Sequence, residues 1–197
     1  MVDVQYALQG SVLPREHRSA LARALERLAP WLADPALAGT HRVNAVAGLG
    51  PTALLSKRTR LMLRVRRERL ADLAPLRGAA LDVGGFALRV GAAPQVRELL
   101  PYGTLYAHLV TSGEADEMPF LAAVDRELGA LGVPCRPICG RRQAFELDGA
   151  AQVGYSLMLD GLTPQGSLRV LESGIGRHRR LGCGIFIPHK SAVGLRV

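Results

Sequence analysis

The chain has 197 residues, of which 48% are hydrophobic, and a chain of this length and composition can bury a substantial core, which excludes disorder as its main state. No apolar run approaches the roughly 18 residues that cross a bilayer, and the opening MVDVQYALQG lacks the features of a signal peptide, so we expect a soluble, cytoplasmic protein. The 25 basic residues exceed the 17 acidic ones, for a formal net charge of +8. This excess favours a polyanionic partner, either nucleic acid or an acidic membrane surface.

The first half of the chain alternates between strand-like and helix-like patterns. In residues 3–9, apolar side chains occupy every second position and so share one face, which is the period of a half-buried strand. A helix is predicted to open at Leu13-Pro14, and a short one follows near Leu70. Further strands are predicted over 41–48, 59–66 and 79–90, the last as a hairpin turning at Gly84-Gly85. The predicted order is β-α-β-β-α-β.

The second half repeats this order. Strands are predicted over 103–111, 135–147, 152–162 and 183–188, and helices over 116–131 and 163–172, the latter capped by Thr163. The sequence therefore predicts an α+β protein with tandem ferredoxin-like (RRM-like) βαββαβ domains, over 1–92 and 102–197. A single larger α+β sheet is the alternative.

A glycine-rich loop over 174–184, between the last helix and the last strand, is the strongest local feature. Its glycines permit unusual backbone angles and close approach to a ligand, and its arginines offer forked donors to phosphate. This combination suits a sugar-phosphate backbone, although a helix cap followed by a solvated basic turn is the alternative. The residues are Gly174, Gly176, Gly182, Gly184, Arg177, Arg179 and Arg180.

The segment SGIGRHRRLGCGIFIP resembles the C-terminal glycine-rich loop of the CRISPR-associated endoribonuclease family, which cuts precursor CRISPR RNA within its repeats. This family belongs to the repeat-associated mysterious protein superfamily. LPREHRSALARALERLAPWL is similar to the family's first helix, and GTHRVNAVAG to the strand after it. The resemblance touches both ends of the chain, and it implies the same tandem ferredoxin-like fold.

The resemblance also implies metal-independent RNA cleavage, in which a 2′-hydroxyl attacks the adjacent phosphate and leaves a 2′,3′-cyclic phosphate. Such a reaction needs a base, an acid and cationic stabilisation of the phosphorane, and the family commonly uses a histidine beside its first helix. His41, after that helix, is the first candidate, and His17, in its first turn, is the second. Each of them also has a plain structural interpretation, as a strand-end or an exposed helical residue.

Several other basic residues are candidate RNA contacts. Arg58, Arg60, Arg64 and Arg66 fall at even spacings, so on one strand they would form a basic stripe along a phosphate backbone or a solvated sheet face. Arg141 and Arg142, at a predicted hairpin turn, are expected to grip an RNA stem. Lys57, beside the stripe, and Lys190, after the last strand, complete the predicted RNA-binding set.

Neither a metal site nor a cofactor is predicted. Cys135 and Cys139 are four residues apart with no second close pair, which does not make a closed zinc site. Aromatic residues make up only 5% of the chain, so it lacks the aromatic stacking platform of a protein that reads single-stranded RNA. A hairpin repeat RNA is therefore the expected partner. Other subunits of a CRISPR interference complex are further candidate partners. Two hypotheses remain open: the repeat-cleaving endoribonuclease, and a non-catalytic RNA-binding subunit of a CRISPR effector.

Overall fold

The computed structural model describes residues 1–48, 50–147 and 150–189. Its chain forms two compact units whose main division lies between Glu98 and Leu99. Residues 179–182, although late in the chain, belong to the first unit. The domain bounds 1–92 and 102–197 stay a prediction. Among the described residues, no helix is long and apolar enough to span a membrane.

The described residues of the first unit form an α-helix, four 3₁₀ segments and a series of strands. The strands are β1 (Val2–Gln9), β2 (Val12–Pro14), β3 (Ala38–Thr40), β4 (Val46–Ala47), β5 (Thr52–Leu54), β6 (Arg60–Val65), β7 (Ala80–Val83), β8 (Phe86–Val90) and β9 (Gln95–Glu98). The helix is α1 (Arg18–Leu28), and the 3₁₀ segments are Pro30–Ala33, Arg67–Arg69, Ala71–Leu76 and Arg179–Leu181.

The main sheet of this unit has the strand order β3-β6-β1-β8-β7, and β9 also pairs with β1. Each of these pairings is antiparallel. Strand β6 therefore lies between β3 and β1, which is the split βαβ arrangement of a ferredoxin-like domain. A small second sheet has the order β2-β5-β4.

The two faces of the main sheet differ in character because β1 alternates. Val2, Val4 and Tyr6 point into the core, where Leu21 and Leu25 of α1 are also buried. A spacing of four residues places those two leucines on one side of the helix. The residues between the buried ones on β1, beginning with Asp3, lie on the opposite face. That second face positions the candidate site.

The second unit has the sheet order β11-β12-β10-β13. Its elements are β10 (Thr104–Val110), α2 (Glu117–Leu131), β11 (Arg136–Leu147), β12 (Ala150–Asp160), α3 (Pro164–Ser173) and β13 (Ile187–Pro188). Thr163 caps α3 as the sequence predicts, since its Oγ1 accepts a hydrogen bond from the Gly166 N–H. At the end of α2 the structure adds Gly132, which adopts a left-handed φ of 63°. The order is again ferredoxin-like, so the predicted tandem fold is confirmed.

Four predicted elements differ from the structure in their bounds or in their type. Pro14 ends the edge strand β2 instead of opening a helix, and α1 begins only at Arg18. The strand predicted over 41–48 is replaced by β3 before it and the short β4 within it. The short helix near Leu70 is a pair of 3₁₀ segments. The strand predicted over 183–188 is only Ile187–Pro188, because Gly184 has a φ of 67°, which an extended strand cannot hold.

The predicted placement of the arginines also needs correction. The stripe over Arg58 to Arg66 is wrong as a surface feature, because Arg58 and Arg66 lie outside β6 and Arg64 is only 1% exposed. Arg141 and Arg142 lie within β11 and not at a hairpin turn, because Ser156 Oγ accepts from the Arg141 N–H and holds that part of the strand. Both of these side chains are exposed.

Candidate functional site

His41 follows β3 and is held by both its backbone and its ring. Its N–H donates to the Met62 carbonyl at 2.9 Å, which extends the pairing of β3 with β6 by one residue. Its ring Nε2 lies 3.1 Å from Asp3 Oδ1. The residue is only 5% exposed, so the imidazole has a fixed position and little contact with water.

Asp3 is held in turn by Arg64. The two residues are opposite each other in the register of β1 and β6, so their side chains share a face. Arg64 Nε donates to Oδ1 at 2.8 Å and Nη2 donates to Oδ2 at 2.9 Å, a two-point pairing. Burial alone would raise the pKa of Asp3, but the hydrogen bonds and charges of Arg64 and His41 outweigh it and hold that pKa well below its ordinary value. Asp3 is therefore a carboxylate at neutral pH.

This carboxylate decides the tautomer of His41. An ionised carboxylate only accepts hydrogen bonds, so His41 Nε2 must carry the proton that points at Asp3. Burial lowers the pKa of His41 below 6.5, Asp3 opposes that shift, and the charges of Arg64 and Arg179 reinforce it. At neutral pH the ring is therefore neutral, and its Nδ1 holds a lone pair that can accept a proton.

Both ends of the glycine-rich loop are hydrogen-bonded to the backbone of the second unit. Arg177 N–H donates to the Thr111 carbonyl at 2.8 Å, and Gly184 N–H donates to the Leu109 carbonyl at 2.8 Å. A Cβ on Gly176 would lie 2.4 Å from the Thr111 oxygen, and Gly176 has a φ of 82°. This glycine is thus required by close packing of the loop against its own unit.

The middle of the loop lies in the first unit beside His41. Arg179 is 5% exposed, and its Nη1 donates to the Pro35 carbonyl at 3.2 Å. Burial, followed by the charge of Arg64, lowers the pKa of Arg179 to about 10. A Cβ on Gly182 would lie 3.2 Å from the Thr40 carbonyl, next to His41. The loop therefore brings a cationic side chain to the Asp3, His41 and Arg64 cluster.

The other predicted site residues have different partners and exposures from the residues of this cluster. His17 precedes α1, its Nδ1 is 3.1 Å from the Pro14 carbonyl, and burial lowers its pKa. Arg180 donates to Glu26 on α1 at 3.1 Å. The exposed members are Lys57 and Arg58 before β6, Arg141 and Arg142 on β11, and Arg177 in the loop. Lys190 lies outside the described residues. Gly174 ends α3.

The sequence does not suggest Asp3 as a site residue, and it suggests Arg64 only as an RNA contact and not as a partner of Asp3. Asp3 was visible only as a polar residue within an alternating strand, and Arg64 only as part of a basic stripe. Their partnership depends on the register between β1 and β6, which joins residues 61 positions apart. Within the described ranges, no group of three or more His, Cys, Asp or Glu side chains is arranged to hold a metal ion.

Comparison with known proteins places this chain in a family. The family model described as Cas6 Crispr matches residues 2–191. The chain is also 38% identical over 188 residues to the CRISPR-associated endonuclease Cas6 of Myxococcus xanthus (strain DK1622), covering 95% of this chain and 81% of that protein. The chain belongs to the Cas6 family. The predicted resemblance is thus confirmed.

Solved structures agree with this Cas6 assignment at the level of fold. A structure named CRISPR associated protein Cas6 has a TM-score of 0.69 at 10% identity and covers 96% of this chain and 99% of its own. A structure described as an RAMP protein binding different RNA substrates has a TM-score of 0.65 at 12% identity and covers 94% and 98%. At these identities the similarity concerns the fold alone.

Proposed function

We propose that this Cas6-family chain is a cytoplasmic endoribonuclease that binds CRISPR repeat RNA and cleaves precursor CRISPR RNA into guide RNAs. Family membership supports this proposal, since the Myxococcus relative is named an endonuclease. The observation that carries it is the cluster of Asp3, His41 and Arg64, because it supplies a neutral, oriented imidazole on a basic protein. Hairpin repeats and other subunits of an interference complex are the proposed partners.

His41 is the proposed base. Its Nδ1 takes the proton of the 2′-hydroxyl while the 2′-oxygen bonds to phosphorus, and the bond from phosphorus to the 5′-oxygen breaks. The leaving oxygen takes up a proton from the imidazolium or from water, so the products carry a 2′,3′-cyclic phosphate and a 5′-hydroxyl. Arg64 and Arg179 place positive charge beside the ring, which favours the dianionic phosphorane.

The proposed mechanism needs no metal ion, because a protein base and protein cations provide each part of the chemistry. We expect the purified protein to cut repeat RNA at one site in excess EDTA, at a rate within about twofold of that with Mg²⁺. Mass spectrometry of the upstream fragment should identify a 2′,3′-cyclic phosphate. A 3′-hydroxyl product, or activity that requires added Mg²⁺, would contradict this mechanism.

The alternative function is an RNA-binding subunit without cleavage activity. The observation that favours it is the burial of His41, which is 5% exposed and restricts access of a 2′-hydroxyl to the ring. Salt-sensitive binding of repeat RNA with no cleavage by the wild type would support this alternative over the nuclease.

The exposed arginines of β11 are the proposed contacts for the RNA backbone. We expect Arg141→Ala/Arg142→Ala to weaken binding about 10-fold near physiological salt and to reduce the slope of log K against log salt by about 1.5, since two phosphate contacts are lost. Fluorescence anisotropy across a salt series measures both effects. The matched control is Arg126→Ala/Arg169→Ala, which removes the same charge from exposed positions on α2 and α3. If both double variants lost RNA affinity equally, the loss would come from net charge and not from contacts of Arg141 and Arg142.

A further inference from the structure

A cavity of about 350 Å³ opens on the face of the main sheet that carries Asp3. We call it the sheet-face cavity. Gln5 and Met62, which line it, are opposite each other in the register of β1 and β6 and lie on the face away from the core. Its volume is within the range of small-ligand sites.

The sheet-face cavity begins beside His41. Met62, in the cavity, supplies the carbonyl that accepts the His41 N–H, and Arg42, also in the cavity, is the next residue in the chain. The Gln5 and Met62 pair is the same-face neighbour of the Asp3 and Arg64 pair, at a spacing of about 7 Å along the strands. A ligand in the cavity would thus lie beside the Asp3 and Arg64 pair, which holds the proposed base His41.

The charge of the cavity is positive. Arg42, Arg58 and Arg60 line it, and none of its described lining residues is acidic. Arg42 and Arg58 are exposed. Arg60 Nη1 donates to the carbonyls of Lys57 and Thr59 at 2.9 Å each, which fixes its guanidinium at the rim. These groups suit phosphate oxygens.

The neutral groups of the cavity suit a nucleobase. Gln5 and Asn44 each carry a side-chain amide, which can donate and accept along the edge of a base. Met62 supplies an apolar, polarisable surface for the face of a ring. The adjoining turn is fixed, because Thr59 Oγ1 accepts from the Ser56 N–H at 3.0 Å and donates to the Asn44 carbonyl at 3.3 Å.

We propose that the sheet-face cavity binds the base of one unpaired RNA nucleotide next to the scissile phosphate. Met62 packs on the base, the amides of Gln5 and Asn44 read its edge, and Arg42 and Arg58 hold the flanking phosphates. An unpaired nucleotide is required because only a base outside a duplex presents both its edge and its face. This inference rests on the proposed function, since it places the cavity beside the nuclease site.

The test is a binding selection from short random oligoribonucleotides, performed with the wild type, Gln5→Ala/Asn44→Ala and Arg42→Ala/Arg58→Ala. We expect the wild type to enrich one base at one position about 10-fold, and the amide variant to lose that preference. The arginine variant should bind all sequences more weakly and keep the preference, because phosphate contacts carry no base information. The matched control, Gln165→Ala, removes an exposed amide on α3 and should change neither result.

Cleavage of repeat RNA, measured in parallel, separates this proposal from the proposed function. A wild type that cleaves, with an amide variant that retains full base preference and wild-type melting, would overturn the cavity proposal and leave the nuclease intact. A selection in which the wild type enriches no base would overturn it too. A wild type that does not cleave, yet shows a preference that the amide variant loses, would support the cavity and contradict the nuclease.

Discussion

His41→Ala is expected to lower the cleavage rate about 10³-fold, because general acid–base groups typically contribute between 10² and 10⁴. RNA binding should stay within about threefold of the wild type, since the exposed arginines that we assign to the phosphates are unchanged. Single-turnover cleavage of end-labelled repeat RNA and anisotropy of the same RNA give the two values.

His17→Ala is the control for this prediction, because it removes the second candidate histidine. We expect its cleavage rate to stay within about threefold of the wild type, as its ring contacts a backbone carbonyl and not a carboxylate. Because His41 is buried, a melting curve must accompany its variant, and added imidazole should restore part of the activity of a folded His41→Ala protein. Full activity in His41→Ala, or a severe loss confined to His17→Ala, would move catalysis away from His41.

The sequence predicted the fold well where long, regular patterns decide it. The alternation of β1 and the four-residue spacing of Leu21 and Leu25 on α1 both fix which side faces the core. The long elements of the second unit follow their patterns for the same reason, and Thr163 caps α3 as predicted. The sequence predicted short elements poorly. Val12–Pro14 and Ile187–Pro188 are strands only because a neighbouring strand pairs with them.

The candidate site was harder to predict because long-range pairing creates it. His41 was found from its position after the first helix, but its partner Asp3 becomes visible only when β1 and β6 are placed in register. The glycine-rich loop was found from composition, yet Gly176 approaches the chain's own Thr111 carbonyl instead of a ligand. Arg179, expected as an open phosphate fork, is buried beside the cluster. Composition located this loop, and only tertiary contacts show what each residue does.

Asp3 is the positioning residue whose replacement should produce the second large effect. In Asp3→Asn, the amide can donate to His41 Nε2 as readily as accept from it, so the tautomer with a free Nδ1 is no longer enforced. The same exchange in serine proteases lowers turnover about 10⁴-fold, and we expect a loss of at least about 10²-fold here. Arg64 also loses its ionised partner, which should lower the free energy of unfolding by up to about 3 kcal/mol.

The pH profile separates positioning of His41 from simple destabilisation by the Asp3 variant. The base form of His41 predominates above its pKa, which burial lowers below 6.5, so wild-type cleavage should rise with pH and level off once the pH exceeds that lowered pKa. Asp3 raises that pKa, so its removal lowers the pKa further, and the rising limb of Asp3→Asn should move to lower pH. Asp160→Asn, which breaks the pair of Asp160 with Arg136 on β11, should leave the limb in place. An Asp3→Asn enzyme that is slower but has an unshifted limb would show that Asp3 supports only the fold, because the predicted effect of its charge on the pKa of His41 would be absent.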